Sequence, residues 1–279
     1  MYIRCWGARG SIPVSGRPYL KYGGDTTCME IRLRSGTVLI IDAGTGIRRL
    51  GSLLVDEGVT EIYLLFTHSH WDHLLGFLFF KPLYRQNVNI HVYGCTFAQN
   101  SVQQLLKNAM DPPFFPVQLD NIQAHLSFHG SCREAFEIDR AKIHPVFLSH
   151  PNKGIGYKFV ENNSTFAFLT DNELGFVHPG GLDFQSYVDF CKDVQLLIHD
   201  AEFTEAEYER TKTWGHSTYN DALKLALSAD AGCFGLFHHN QDRTDAALDK
   251  IVDECQQTVK MKNRNLPCYA LFPGWEMSL

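Results

Sequence analysis

Apolar residues follow two rhythms along this chain of 279 residues. Short β-rich runs bounded by Gly, Pro, Ser or Asp predict strands over Tyr2 to Trp6, Met29 to Leu33, Thr37 to Ile41 and Ile62 to Phe66. The second half gives strands over Gly154 to Val160, Phe166 to Leu169, Val194 to Ile198 and Cys268 to Phe272. Between them, apolar positions at helical spacing predict helices around Ile47, Leu50 and Leu54, around Val102, Leu105, Leu106 and Ala109, over Tyr219 to Leu227, and over Ala246 to Val259. A strand-rich half with helices, repeated once, suits two packed sheets with helices outside. Three prolines in five residues forbid regular helix in Asp111-Pro112-Pro113-Phe114-Phe115-Pro116. Phe114 and Phe115 are expected to plug the core, since aromatic residues mostly serve packing; a lid is the other use open to them.

Polar residues of one chemical kind gather where these runs stop. Thr67-His68-Ser69-His70-Trp71-Asp72-His73 follows Ile62 to Phe66 directly, with three imidazoles and one carboxylate in six positions. A strand that ends there presents several ligands from one rigid edge, and neutral imidazole with carboxylate suits zinc, iron or manganese. His68 and His70 can converge on one ion, while Asp72 and His73 point onward to a second. Three more ligand types end apolar runs: His150 after Val146 to Ser149, Asp171 after Phe166 to Thr170, and His238 after Cys233 to Phe237.

The pattern His-x-His-x-Asp-His after a strand, with His150, Asp171 and His238 in order behind it, resembles the signature of the metallo-β-lactamase-fold hydrolases. The resemblance covers nearly the whole chain. It implies an α/β fold, a four-layer αβ/βα sandwich of two mixed β-sheets flanked by helices, with two divalent metal ions at one edge. It further implies that Asp171 bridges the ions, that His68, His70 and His150 hold one, and that Asp72, His73 and His238 hold the other. His239 neighbours His238; matching the strand end to the Leu-Thr-His of relatives selects His238, and adjacent side chains diverge at a strand end. Asp42 is expected to anchor a ligand histidine from outside, fixing its ring orientation.

Two further segments look like the tRNase Z branch of that superfamily. In His199-Asp200-Ala201-Glu202-Phe203, Asp200 stands where that branch has Glu, and Gly215-His216-Ser217-Thr218 matches it residue for residue. The resemblance implies that Asp200 orients His216 as a proton donor or phosphate contact. Ser217 or Thr218 can also cap the helix that follows, and a helix N-terminus is itself an anion site. His216, Ser217 and Thr218 are therefore expected at the substrate, together with Thr26 from the Gly23 to Cys28 segment and Arg9. His199, one residue from Asp200 on a strand, would face elsewhere and is read as structural.

Composition narrows the partners. No linker, low-complexity tract or repeat divides the chain, and the ligand set runs from residue 68 to residue 238, so one domain is expected, with residues 76–129 shaping the pocket. A net charge of −6 without a basic run makes a nucleic-acid partner unexpected. The longest apolar stretch, Leu74 to Phe80, has seven residues, against roughly 20 for a membrane span. No signal peptide is expected from the N-terminal residues. Eight cysteines without CxxC or close pairing predict reduced, buried thiols in a cytoplasmic protein. A homodimer is compatible with all of this.

The expected activity is hydrolysis of a small phosphodiester or cyclic nucleotide through a metal-bridging hydroxide, with Asp72 orienting the water and His216 as acid. Zinc is the expected metal, with manganese or iron as alternatives. His150 and Asp171 are 21 apart, which leaves no room for the long arm of tRNase Z. His73 argues against a β-lactamase proper, which usually lacks it. A carboxylic ester, thioester or lactone hydrolase, an RNA-processing nuclease, an iron-dependent reductase and a silent binding module are the competing readings.

Overall fold

The protein is described from a computed structural model covering residues 1–95, 102–130 and 134–279. Two seven-stranded sheets carry the architecture. The first is built from β1 (Tyr2–Gly7), β2 (Cys28–Arg32), β3 (Val38–Ile41), β4 (Glu61–Leu65), β5 (Asn89–Gly94) and β6 (His125–Gly130) in sequence order. The second runs from β7 (Phe136–Ile138) through β8 (Ala141–Leu148), β9 (Gly154–Glu161), β10 (Ser164–Leu169), β11 (Leu196–Asp200) and β12 (Phe234–Phe237) to β13 (Cys268–Ala270). Each is antiparallel at first and parallel later: β3 to β6 pair in parallel, as do β10 to β13. The last strand, β14 (Glu276–Ser278), returns to pair antiparallel with β1.

Seven α-helices occur among the described residues: α1 (Ile47–Asp56), α2 (Trp71–Leu74), α3 (Val102–Met110), α4 (Phe184–Phe190), α5 (Glu205–Thr211), α6 (Tyr219–Ser228) and α7 (Asp245–Met261). The central parallel strands β3, β11 and β12 are buried along their whole length, and β3 accordingly reads as a continuous apolar run. Along β3, Leu39 and Ile41 enter the core between the sheets, while Val38 and Ile40 turn outward to Ile47, Leu50 and Leu54 of α1. In β11, Leu196 and Ile198 face inward toward Phe166 and Phe168, and Leu197 faces α6 through Ala222 and Leu223. This period-two alternation produces the predicted helix–sheet–sheet–helix layering.

Several expectations are adjusted. Cys268 to Phe272 is neither the last strand nor a full one: β13 stops at Ala270, and three residues of mixed polarity form β14 beyond it. Phe115 packs into the outer core against Phe79, with ring centroids 5.6 Å apart, but Phe114 is 80% exposed, so only one of the pair plugs anything. Six cysteines are free and buried as expected, whereas Cys95 is disulfide-bonded. No helix among the described residues is long and apolar enough to cross a membrane.

Candidate metal centre

Strand ends build the site. Asp42, just past β3, accepts the Thr67 amide at 2.8 Å and its hydroxyl at 2.7 Å, and takes the Nδ1 proton of His73 at 2.8 Å. That anchor aims His73 Nε2 inward from the single turn of α2, which also presents Asp72. Ser11 donates its amide to Asp72 Oδ2 at 2.9 Å. His150 follows β8, Asp171 follows β10 and His238 follows β12. Asp42, Asp171 and His238 all have positive φ, at 60°, 53° and 57°. Such backbone costs of order 1–3 kcal/mol per residue and persists where surrounding bonds over-determine it.

The seven side chains converge. His68, His70, His150 and Asp171 form one group and Asp72, His73 and His238 another, the ligand atoms in each lying within 4.8 Å of one another. His68 Nε2 is 3.4 Å from Asp171 Oδ2, and His150 Nε2 is 3.3 Å from His70 Nδ1. Asp72 Oδ2 lies 3.2 Å from Nε2 of both His73 and His238. Asp171 reaches toward both groups, with His73 Nε2 at 3.3 Å from Oδ1 and His238 Nε2 at 3.4 Å from Oδ2. Ligands about 2.0–2.1 Å from a tetrahedral zinc are separated by about 3.3 Å, so the spacing fits bound metal. Two buried nitrogens that face this space, His68 Nε2 and His73 Nε2, have no hydrogen-bond partner, as expected of atoms kept for an ion.

Protonation agrees. Burial drives His68 well below its usual range and His150 down to about 3, which keeps both as the neutral imidazoles a metal needs. Burial opposes ionisation of Asp72 and Asp171, but His73 and His238 hold both carboxyls well below their ordinary range. The same carboxylates outweigh burial at His73 and His238 and push those imidazoles up.

An outer layer fixes the inner one. His150 Nδ1 donates to the Gly215 carbonyl at 3.0 Å, and His238 Nδ1 donates to Glu202 Oε2 at 2.9 Å. His216 Nδ1 donates to Asp200 Oδ2 at 2.7 Å, with Asp171 Oδ2 4.0 Å away. Burial lowers the affinity of His216 for a proton, but Glu202 and Asp200 more than offset it and raise the group to about 9.

The comparisons with known proteins fit this geometry. Residues 37–239 match the family model of the beta-lactamase superfamily domain. The chain belongs to the beta-lactamase superfamily. It is 25% identical to a ribonuclease Z of Haloarcula marismortui over 92% of this chain and 91% of that protein. In fold it is similar to the metallo-beta-lactamase fold protein YhfI from Bacillus subtilis, with TM-score 0.70 and 13% identity over 99% of each chain. It is also similar to a diphosphatase of the PhnP family, with TM-score 0.69 and 18% identity over 100% of this chain and 97% of that one. The chain is a metal-dependent hydrolase, and its fold class is the metallo-β-lactamase sandwich. Ribonuclease Z relatives count against the expectation that nucleic acid is an unlikely partner.

Four residues expected at the substrate serve the scaffold of this superfamily member instead. Arg9 is 1% exposed, and its guanidinium donates to the carbonyls of Gly23, Asn240 and Arg243. Thr26 is fully buried and exchanges hydrogen bonds with Thr45. Ser217 donates to the Asn172 carbonyl and accepts the Leu174 amide. Thr218 caps α6 by accepting the Asp221 amide. In each case the polar atoms just named are used internally. His239 turns away from the cluster and donates to the Leu271 carbonyl, while His199 is buried between Asn172 and the Asp200 carbonyl.

Sequence reading missed two buried carboxylates. Glu202 orients His238 and accepts from Asn240; its signal was a second acid two residues after Asp200, at the end of a strand. Glu173 accepts the amides of Thr213 and Gly215 and holds the turn that precedes His216. Two cavities flank the site. One of about 490 Å³ is lined by His216 and Trp214; one of about 350 Å³ lies between Trp71, Leu74 and Phe114.

Proposed function

We propose that this chain is a phosphodiesterase acting on a small phosphodiester or cyclic nucleotide. The observation that carries the reading is the Asp200–His216 pair, 2.7 Å apart and opening onto a cavity beside the ligand cluster. His68, His70 and His150 would hold one divalent ion and Asp72, His73 and His238 a second, with Asp171 shared. Five imidazoles and two carboxylates favour zinc, and manganese or iron suit the same donors. Two such ions, when bound, ionise a water near neutral pH and offset negative charge on the reacting oxygens.

The chain's own groups do the rest. Asp72, steadied by the Ser11 amide, orients the attacking water. Asp200 fixes His216 with Nδ1 toward the carboxylate, which leaves Nε2 to give a proton to the departing oxygen. Such general acid help is typically worth about 10² to 10⁴ in rate. An alkoxide leaving group needs that donor more than an amide or thioester does, so the pair favours phosphodiesters. In this reading one domain carries the whole site, and residues 76–129 shape the second cavity through Leu105, Asn108 and Phe114.

A second reading, hydrolysis of RNA, is favoured by the ribonuclease Z relatives. A net charge of −6 without a local basic run counts against it. Metal analysis and turnover decide between them, using cyclic nucleotides, bis(p-nitrophenyl) phosphate, a structured RNA, nitrocefin and S-lactoylglutathione. The small phosphodiesters should lead. Faster turnover of nitrocefin, the thioester or RNA would overturn the proposal, and RNA binding would add a steep salt dependence.

A further inference from the structure

The cavity of about 490 Å³ beside His216 lies against α5 and the segment 240–242. We propose that it is a leaving-group subsite for a planar aromatic group bearing N–H donors, namely a nucleobase, with Trp214 as its stacking face and Gln241 as its edge contact. The inference rests on the phosphodiesterase reading. A proton given by His216 goes to the oxygen of the departing group, so the remainder of that group occupies the space this imidazole lines.

Trp214 is 63% exposed although it stands two residues before His216. Its attachment is rigid, because Glu173 accepts the amides on either side of it, those of Thr213 and Gly215, and its own amide donates to the Thr211 carbonyl at 3.0 Å. An indole on a fixed stretch of backbone, with a bare face, is a ready platform for a base, since every base has a π-face to stack. Phe203 and Ala206 add apolar wall.

The polar lining then selects among aromatic groups. Glu202 is engaged by His238 and Asn240, and Glu207 by Arg243 and Thr204. Asn240 gives its amide nitrogen to Glu202, and its oxygen accepts the Asp242 amide. Gln241 differs: its Oε1 is buried without a hydrogen-bond partner. That oxygen is shut off from solvent as the side chain stands, so rotation of the amide toward the cavity would present it to a ligand's donor and relieve the cost of an unpaired buried acceptor. Ring N–H and exocyclic amine groups of a base are such donors, and a plain hydrocarbon ring has none. The volume falls within the 300–1,000 Å³ typical of small-molecule sites, which accommodates a nucleoside.

The test is calorimetric titration of adenosine 5′-monophosphate and of ribose 5-phosphate onto the zinc-loaded full chain. Wild type, Trp214→Ala, Trp214→Phe and Gln241→Leu are compared after their thermal transitions confirm folding. Wild type should bind the nucleotide more tightly than the base-free phosphate. Trp214→Ala should shrink that preference by about 5- to 100-fold, Trp214→Phe should retain most of it, and Gln241→Leu should reduce it by about 3- to 10-fold. Equal wild-type affinity for the two ligands, or an undiminished preference in Trp214→Ala, overturns the subsite. Turnover of 2′,3′-cyclic AMP is read separately. A protein that prefers the nucleotide in binding but hydrolyses no phosphodiester overturns the phosphodiesterase reading and leaves the base site standing.

Discussion

Glu173 Oε2 accepts the Gly215 amide at 2.8 Å, and the carbonyl of that same glycine accepts the Nδ1 proton of His150 at 3.0 Å. One buried carboxylate thus sets a proposed metal-binding imidazole and the turn that carries the proposed acid. It also accepts from Thr213 at 2.7 Å, Tyr208 at 2.6 Å and His178 at 2.7 Å. Four donors facing one carboxylate leave no place for an N–H, so Glu173→Gln would turn an amide donor against them. We expect this variant to bind zinc about 10- to 100-fold more weakly, the usual cost of disturbing an outer-layer partner. Gly215→Ala should do worse, since φ is +98° and a Cβ would lie 2.0 Å from His150 Nδ1. Metal titration with a competing chelator checks both; unchanged zinc affinity in Glu173→Gln would sink the idea.

His216 gives the second prediction. In the metal-free chain Glu202 and Asp200 raise its pKa to about 9, and cations bound beside it lower that value. An acid is active below its pKa, so turnover of the metal-loaded chain should fall as pH rises, on a limb lying below about 9. Asp200→Asn removes one of the charges that raises the group, so that limb should move to lower pH. His216→Ala should slow esters with alkoxide leaving groups by roughly 10² or more and p-nitrophenyl esters much less. Equal losses on both, with metal content intact, would indicate a binding or structural role.

Arg9 gives the third. Its three carbonyl partners sit on two distant segments, Gly23 on one and Asn240 and Arg243 on the other, and truncation strands them away from water. Arg9→Ala should lose at least about 1–3 kcal/mol of stability, the cost of one unpaired buried group, while KM for a folded sample stays near wild type. Urea unfolding with parallel kinetics measures this; a raised KM at unchanged stability would return Arg9 to the substrate.

Much of this was legible beforehand because it lies at strand ends. Runs such as Val38 to Ile41 and Leu196 to Ile198 are apolar on both faces, which marks central parallel strands, and the residue after such a run must emerge at one rim. His68, Asp171 and His238 are proposed as ligands on that ground, and the fold brings their ligand atoms together. Asp42 was readable only through the family resemblance, and its bonds to Thr67 and His73 show why that position needs an acid. The illegible part is tertiary. Arg9, Thr26, Ser217 and Thr218 have side chains that suit a substrate equally well, and only the partners that fold against them decide otherwise. Glu173 contacts residues up to 42 positions away in sequence, a separation no local pattern encodes. β14 is three residues long and lies at a sheet edge, too short to alternate.

Metal removal gives the last prediction, and its pH dependence follows from the cluster. Metal-free, His73 and His238 have proton affinities raised by Asp72 and Asp171. A raised histidine contributes stability that is complete below about 6.5 and is lost as pH rises through its folded value. Depressed carboxyls contribute stability above about 3.8, lost only as pH falls through their still lower folded values. Between pH 6 and 9, the metal-free chain should therefore lose stability as pH rises. Metal binding displaces those same protons, so zinc or manganese affinity strengthens over this range. Adding either ion should then raise Tm by more at pH 8.5 than at pH 6, through mass action on the folded state. Thermal unfolding with and without EDTA measures the gap, and activity should vanish with the chelator and return with the ion. A Tm indifferent to metal at both pH values would contradict a pair of bound ions, whatever the turnover data show.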